Sequence, residues 1–595
     1  LSLKGKLVFV VIHQPSSDVF KMFDKIIILD TGGYMIYYGN PIEAVMYFKR
    51  ISQKINSDMG ECPTCGNVNP ELIFNIIEEK EIDELGNYTD VRKVSPAQWE
   101  TVYQQEMVSP TSEKEAYAKP TSKLNIPNWF KQWRIYLTRD FLSKISNRQY
   151  LLLTLLEAPV LGIILAYVIR YIADPLSNIY IFRENENIPI FIFMSLIVAL
   201  FLGLIVSAEE IFRDRKILKR EAFLNLSRSS YLIAKICVLV VISALQCFLF
   251  VIIANTILDV KEMYFTYWLA LFSTAVSANI LGLVISNSFN SAVTIYIVIP
   301  LLMIPMMVLS GAMFSFDKLN HRVSSVEKVP LVAEFMITRW SYEALMVHQY
   351  KDNRFERYFY DIEKRESMAD FRQVYVIPEL KSRYALCMNE LSTTDKIQDN
   401  VQALLLLRNE VEKELAINPQ AQFDLSLLEA DKFDANVASY LDEFIEAMNA
   451  FYMQQFSLAN QEKEQLIAYM LESNKKGYTQ LKNTYHNEHL GETVKNFFEK
   501  NKILEYNHHL VQQIDPIYQD PSTAGWLGIR THFFAPRKYF AGRFFDTYWF
   551  NISVIWIISI GLYFILYFDA VKKIITLSQY KRKKNRNSQY KRISS

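Results

Sequence analysis

Few residue types in this 595-residue chain stand where they could do chemistry. His13 closes the apolar run Leu7 to Ile12 and opens the loop His13-Gln14-Pro15-Ser16-Ser17. Lys6 to Ile12 has the length and β-branched content of a buried strand. An imidazole at the C-terminal end of such a strand is placed to meet a ligand above the sheet; a loop histidine without a role is the alternative. Cys62 and Cys65 form a C-x-x-C pair. Structural zinc takes four ligands, and no second pair or nearby His completes the set within one chain, so no metal ligand is assigned and a metal shared between protomers stays open. His486 and His489, with His508-His509 further on, read as solvated helix positions. Glu157 stands in an apolar stretch two residues before Pro159, where it faces a path or partner helix, or lies near an interface. Gln246, Asn255 and Asn279 are milder cases of the same kind.

The elements that would carry these residues are largely apolar. Hydrophobic residues make up 51% of the chain, aromatic residues 14% and charged residues 21%, and the net charge of +1 gives nucleic-acid binding no support. A bilayer core takes about 20 apolar helical residues. Six stretches qualify: Tyr150 to Ile172, Ile188 to Ala208, Tyr231 to Leu258, Tyr267 to Ile285, Ala292 to Phe314 and Tyr548 to Phe568. Lys131, Arg134, Arg139, Lys144 and Arg148 precede the first, Arg213 to Arg228 supplies six cations between the second and third, and a basic tail from Lys572 follows the last. The intervening loops are cation-poor. This alternation places both ends in the cytoplasm and the long segment 315–546 outside, since long domains cross largely regardless of charge. The five cysteines form no disulfide framework. The chain opens on Leu1 without a signal peptide, and the expectation is a fragment whose start lies upstream.

After the first apolar run, the sequence predicts a helix from Asp18 to Phe23 capped by Ser16 or Ser17, strands Lys25 to Asp30 and Tyr34 to Tyr38 around a Gly32-Gly33 turn, and a helix from Pro41 to Lys49. The segments Val11-Ile12-His13-Gln14-Pro15-Ser16-Ser17, Phe23 to Gly33 and Tyr38-Gly39-Asn40-Pro41 resemble the switch-histidine region of ATP-binding cassette domains, in the form of the G subfamily. Cys62-Pro63 and Asn69-Pro70-Glu71-Leu72-Ile73-Phe74 are similar to further elements of that subfamily. The resemblance implies that His13, with Gln14 beside it, meets the γ-phosphate of ATP, and that His13 helps orient the attacking water. No G-x-x-x-x-G-K-S/T phosphate loop occurs in the sequence. ATP and Mg²⁺ would therefore be held through upstream residues, and this chain would not hydrolyse ATP alone.

The resemblance continues over the spans. Ser207 to Lys216, Lys219-Arg220-Glu221 and Ser230 to Lys235 are similar to the subfamily's first cytoplasmic loop, a coupling helix packed on the ATP-binding domain. It implies coupling roles for Glu210, Arg213, Asp214, Arg215 and Glu221. A charged helix between two spans cannot lie in lipid, and it can pass rigid-body motion to them; a solvated turn anchored by snorkelling cations is the alternative. Thr338-Arg339-Trp340-Ser341-Tyr342-Glu343-Ala344-Leu345 resembles the subfamily's element after the fifth span.

Residues 350–507 carry apolar residues at helical spacing and almost no glycine, which predicts a helical outer insertion that the resemblance does not cover. Asp515 to Pro521 reads as a loop, and Phe533 to Phe544 as an interfacial amphipathic helix. The expected fold is mainly α: a six-helix transmembrane domain with a helical extracytoplasmic insertion, preceded by the C-terminal remnant of an α/β ATP-binding domain. The expected parts are that remnant at 1–60, a linker at 61–130, spans one to five at 131–314 with a coupling helix at 209–230, the insertion at 315–546, span six at 547–570 and a basic tail at 571–595. The expected function is an ATP-driven exporter subunit in the cell (inner) membrane, moving a solute or lipid and paired with a second copy or a homologous half-transporter. An ATP-driven envelope assembly or signalling protein is the alternative.

Overall fold

The computed structural model describes residues 7–577 apart from 63–65, 84–85, 107–126, 175, 177, 222–225, 321, 323, 395–399, 419–420 and 524–527. Lys6, Cys65 and the basic residues from Lys581 onward lie outside the described residues. The chain forms two compact units, Leu1–Leu124 and Asn125–Ser595.

In the first unit the run before His13 is not a strand. Leu7, Phe9 and Val11 are 84%, 77% and 89% exposed. A buried parallel strand exists only by bonding to neighbours, and among the described residues none runs beside this segment, so apolar composition alone does not order it. Helix α1 (Ser17–Lys21) has Ser16 at its N-cap, but the hydroxyl makes no cap bond; the Ser17 hydroxyl instead accepts from the Val68 amide at 2.9 Å. Strands β1 (Ile26–Leu29) and β2 (Met35–Gly39) pair antiparallel. Gly32 and Gly33 both take positive φ in their turn, a conformation that suits glycine. Helix α2 (Pro41–Ile51) starts with the Asn40 side chain capping the Ile42 amide. Helix α3 (Glu71–Ile77), strands β3 (Lys80–Ile82) and β4 (Tyr88–Arg92), and helix α4 (Pro96–Glu106) follow. Phe20, Ile36, Tyr37, Phe48, Ile73 and Trp99 form the core.

The second unit begins with α5 (Trp129–Ser146), then α6 (Arg148–Ile169), α7 (Ile188–Ala208), the polar α8 (Glu210–Glu221), α9 (Arg228–Ile257), α10 (Tyr264–Ser288) and α11 (Ala292–Val308). Among the described residues, five helices of the unit are long and apolar enough to cross a membrane, and α11 is a shorter apolar helix of 17 residues. The fifth stretch ends at Val308 rather than Phe314 because Pro300 and Pro305 interrupt its hydrogen bonding and Gly311, at φ 81°, breaks the helix direction. At about 1.5 Å per residue α11 still spans about 26 Å.

Lipid offers no hydrophobic drive between helices, so close packing holds them. The contact of α7 with α10 uses small residues. A Cβ on Gly203 would lie 2.5 Å from the Ala275 carbonyl, and one on Gly282 would lie 2.0 Å from the Ser207 hydroxyl.

Beyond α11 come α12 (Leu331–Glu334), α13 (Ile337–Lys351), α14 (Glu356–Phe371), α15 (Ile377–Thr394), α16 (Val401–Ile417), α17 (Ala435–Tyr485, bent at Asn474) and α18 (Glu488–Val494). A π-helical turn at Arg372–Val376 joins α14 to α15. Residues of α14 to α17 build a core of their own, with Leu404, Leu407, Leu441 and Ile445 fully buried. Asn487 fastens this insertion to the loop before α7, donating to the carbonyls of Phe182 (2.8 Å) and Asn185 (2.9 Å).

Strands β5 (Ile503–Tyr506) and β6 (His509–Gln512) form one hairpin, and β7 (Arg537–Phe540) and β8 (Arg543–Asp546) form another. The second replaces the interfacial helix expected over Phe533 to Phe544. Ala541 and Gly542 both take positive φ, the twist a two-residue hairpin needs, and alternation turns Lys538 fully inward. Pro516–Tyr518 is a 3-10 turn within the expected loop. Helix α19 (Thr547–Tyr567) closes the bundle.

Candidate functional site

The polar helix α8 buries Ile211 against the bundle and is further bound to it by charge. Glu210 and Asp214 stand one turn apart on it, and both reach Lys235 of α9. The Lys235 ammonium lies 2.5 Å from Asp140 of α5, 2.7 Å from Glu210 and 3.0 Å from Asp214. Lys144 of α5 pairs with the other oxygen of Glu210, and the Tyr231 hydroxyl donates to Asp214 at 2.9 Å. Lys235, Glu210, Asp140 and Lys144 are all buried, so these charges are compensated by one another rather than by water. A cavity of about 90 Å³ beside them is lined by Tyr136, Arg139, Asp140, Asp214, Tyr231 and Lys235, among others. Arg139 pairs with Glu221 at the far end of α8, at 2.8 Å.

Two further attachments fix α8 and its neighbours. The Ser286 hydroxyl of α10 accepts from the amides of Ile211 and Phe212, satisfying donors that a helix start leaves free. Arg215 donates to the Ser286 and Asn287 carbonyls, where the C-terminus of α10 favours a cation. Arg228 at the start of α9 makes two hydrogen bonds of 2.5 Å to Asp569, just past α19, and Asn287 bonds the same carboxylate. Those Arg228 bonds hold the Asp569 carboxyl below its ordinary range. Five elements (α5, α8, α9, α10 and the end of α19) thus meet in one polar lock.

At the opposite end of the bundle a second buried cluster joins α13, β7 and α19. Arg339 lies on the Trp340 ring, 3.8 Å from its centroid, within 3.5 Å of Glu334 and 3.4 Å of Glu343. Lys538 donates to Glu343 (2.7 Å) and Thr531 (2.6 Å), and Asn551 to Glu343 (2.8 Å). Burial pushes Lys538 down to about 8. Burial alone would raise Glu343, but Arg339 and Lys538 outweigh it and hold the carboxyl below its ordinary range. The Arg339-Trp340 element is therefore the fastening of the outer hairpin onto the bundle.

The expected site residues fall in separate places. Glu210, Asp214, Arg215 and Glu221 belong to the lock, whereas Arg213 is exposed and its side chain bonds nothing among the described residues. His13 and Gln14 lie in the first unit, both exposed, Gln14 at φ 44°. Asp140 and Ser286 were not singled out in sequence, and Tyr231 and Lys235 entered only within the Ser230 to Lys235 segment, without a role of their own. Lys235 carried a signal: a cation four residues inside an apolar stretch is expensive unless paired.

Residues 131–350 match the family model described as ABC-2 type transporter, and residues 13–63 match a second model of the same description. The fold and the match define a multi-pass membrane protein with an ABC-2 type transporter membrane domain. The relatives it resembles include proteins named as G-family ABC transporters. The chain is 26% identical over 199 residues to "Protein white" of Drosophila melanogaster, covering 32% of this chain and 27% of that one. It is 33% identical over 99 residues to "ABC transporter G family member 22" of Arabidopsis thaliana, 16% and 13% of the two chains. It is 30% identical over 165 residues to "ABC transporter G family member 8" of Dictyostelium discoideum, 27% and 23%. The chain spans about a quarter of the length of the first relatives it matches.

Proposed function

We propose that this chain is the membrane half of an ATP-driven exporter that moves a solute or lipid across the cell (inner) membrane. The observation that carries the reading is the polar lock. A charged helix that cannot enter lipid is bound to four other elements of the bundle at one end, so a push on α8 moves them together. Glu210, Asp214, Arg215 and Glu221 transmit that push, and the exposed Arg213 is free to meet the nucleotide-binding side. His13 and Gln14 meet the γ-phosphate of ATP, whose Mg²⁺ is held by residues beyond this chain. The neutral imidazole donates a hydrogen bond to phosphate and helps position the attacking water. Residues 1–60 then end the ATP-binding domain, 61–130 link it to the spans, and both termini and α8 face the cytoplasm. Six crossings make half a pathway, which a second copy or a homologous half-transporter completes.

The test is the intact transporter in proteoliposomes, with ATP hydrolysis and export measured together. Export that depends on ATP and is lost with His13→Ala supports the reading; full hydrolysis in that variant removes the role of His13. The separate core of the outer insertion favours one other reading, in which ATP drives 315–546 mechanically for envelope assembly or signalling. Hydrolysis without movement of solute or lipid would favour it.

A further inference from the structure

Glu157 stands near the middle of α6, nine residues from Arg148 and twelve from Ile169, or about 14 and 18 Å along the axis. A glutamate side chain reaches neither end of α6 from there. The side chain is partly buried, between the exposed Leu156 and the fully buried Ala158, and among the described residues no hydrogen bond or ion pair engages it.

A second observation points to the same level of the bundle. Thr154, one turn earlier on α6, accepts a bond from Gln246 Nε2 of α9 at 2.9 Å. A carbonyl only accepts, so the amide nitrogen of Gln246 must face it and the amide oxygen must turn away. That oxygen is buried and has no donor, in a residue that is 1% exposed. Ser243, one turn from Gln246 on α9, is bonded by Asn279 of α10, whose own oxygen also lacks a donor. The Gln246 and Asn279 oxygens thus lack donors, and Glu157 lies one turn along α6 from the carbonyl that Gln246 bonds. Buried acceptors call for donors, and a carboxylate in lipid calls for a positive charge.

We propose that Glu157 and Gln246 form a midplane binding site for the protonated amine of an amphipathic substrate. The ammonium pairs with Glu157 and gives an N–H to the Gln246 oxygen, while the apolar body lies against the outward-facing Leu153, Leu156 and Val160. This rests on the transporter reading for its purpose, but not for its test. The full chain in nanodiscs without nucleotide is titrated with dansylcadaverine, a primary amine, and with its neutral N-acetyl form, following dansyl fluorescence. The amine is expected to bind at least about tenfold tighter, the scale of one charge-assisted hydrogen bond. Glu157→Gln should abolish that difference and leave the acetylated probe unchanged, Glu157→Asp should keep it, and Gln246→Leu should reduce it. Equal binding of the two probes to the wild type, no binding of either, or a difference that survives Glu157→Gln overturns the proposal. Selective binding without ATP-driven export would count against the exporter reading alone, and export with unselective binding against this site alone.

Discussion

Lys235 carries one positive charge among three carboxylates, and its removal would leave Glu210, Asp140 and Asp214 repelling one another in a buried place. Breaking such a pair costs about 3–5 kcal/mol, because the remaining charge is uncompensated. Lys235→Met is expected to lower the thermal midpoint in detergent steeply, Lys235→Arg to recover most of it, and the arginine variant to keep export per ATP near wild type. In the outer insertion, Glu363 receives the Tyr518 hydroxyl at 2.6 Å and lies 3.4 Å from both Lys463 and Lys495. Burial would raise its carboxyl, but Lys495, the tyrosine and Lys463 outweigh that and bring it to about 2. A carboxyl lowered on folding stabilises above its unfolded value near 4.5, and that stabilisation is lost as pH falls from about 4.5 toward 2. The contribution is on the order of 3 kcal/mol. Glu363→Gln should therefore flatten the acid limb of a stability–pH curve in that window; an unchanged limb would show that Glu363 does not titrate as described. Glu210, Asp214, Arg215 and Glu221 were legible as charges on one short helix. Their partners were not, because Asp140 and Lys235 lie 70 residues before and 25 residues after Glu210 and only packing brings them together.

Helices built by periodicity were read well, and so was the β1–β2 hairpin around its Gly32-Gly33 turn, but the other paired elements were not. The apolar stretches of α6, α7, α9, α10 and α19 carry their length and composition locally, and the helical character of 350–507 follows from spacing alone. The run before His13 looked like a strand, but its neighbours decide whether a strand exists. The β7–β8 segment read as an amphipathic helix; the left-handed Ala541-Gly542 pair and the inward Lys538 make it a hairpin, and neither is visible in an apolar pattern. The close contact of α7 with α10 was also hidden, since Gly203 and Gly282 lie on different helices. Gly203→Val would drive a side chain into the Ala275 backbone, which cannot yield as a side-chain end can. Overpacking of this kind costs about 1–3 kcal/mol or more. A lowered yield of folded protein and a fall in midpoint are expected, and a wild-type midpoint would refute the tight contact.

At the scale of the molecule, the lock and the outer insertion occupy opposite ends of one bundle. The residues near 148, 208, 228, 288, 292 and 567 gather at the α8 end. Those near 169, 188, 257, 264, 308 and 547 gather at the other, where Tyr180 bonds the Leu258 carbonyl and Tyr548 the Thr266 carbonyl. The proposed ATP-driven export requires those two ends to lie on opposite faces of the membrane. Single cysteines at Lys216, exposed on α8, and Tyr469, exposed on α17, report the two ends in a background without the native cysteines. A membrane-impermeant maleimide applied to intact cells should label Tyr469→Cys at once and Lys216→Cys only after the membrane is opened. Labelling of both positions in intact cells, or of Lys216→Cys alone, would contradict the account.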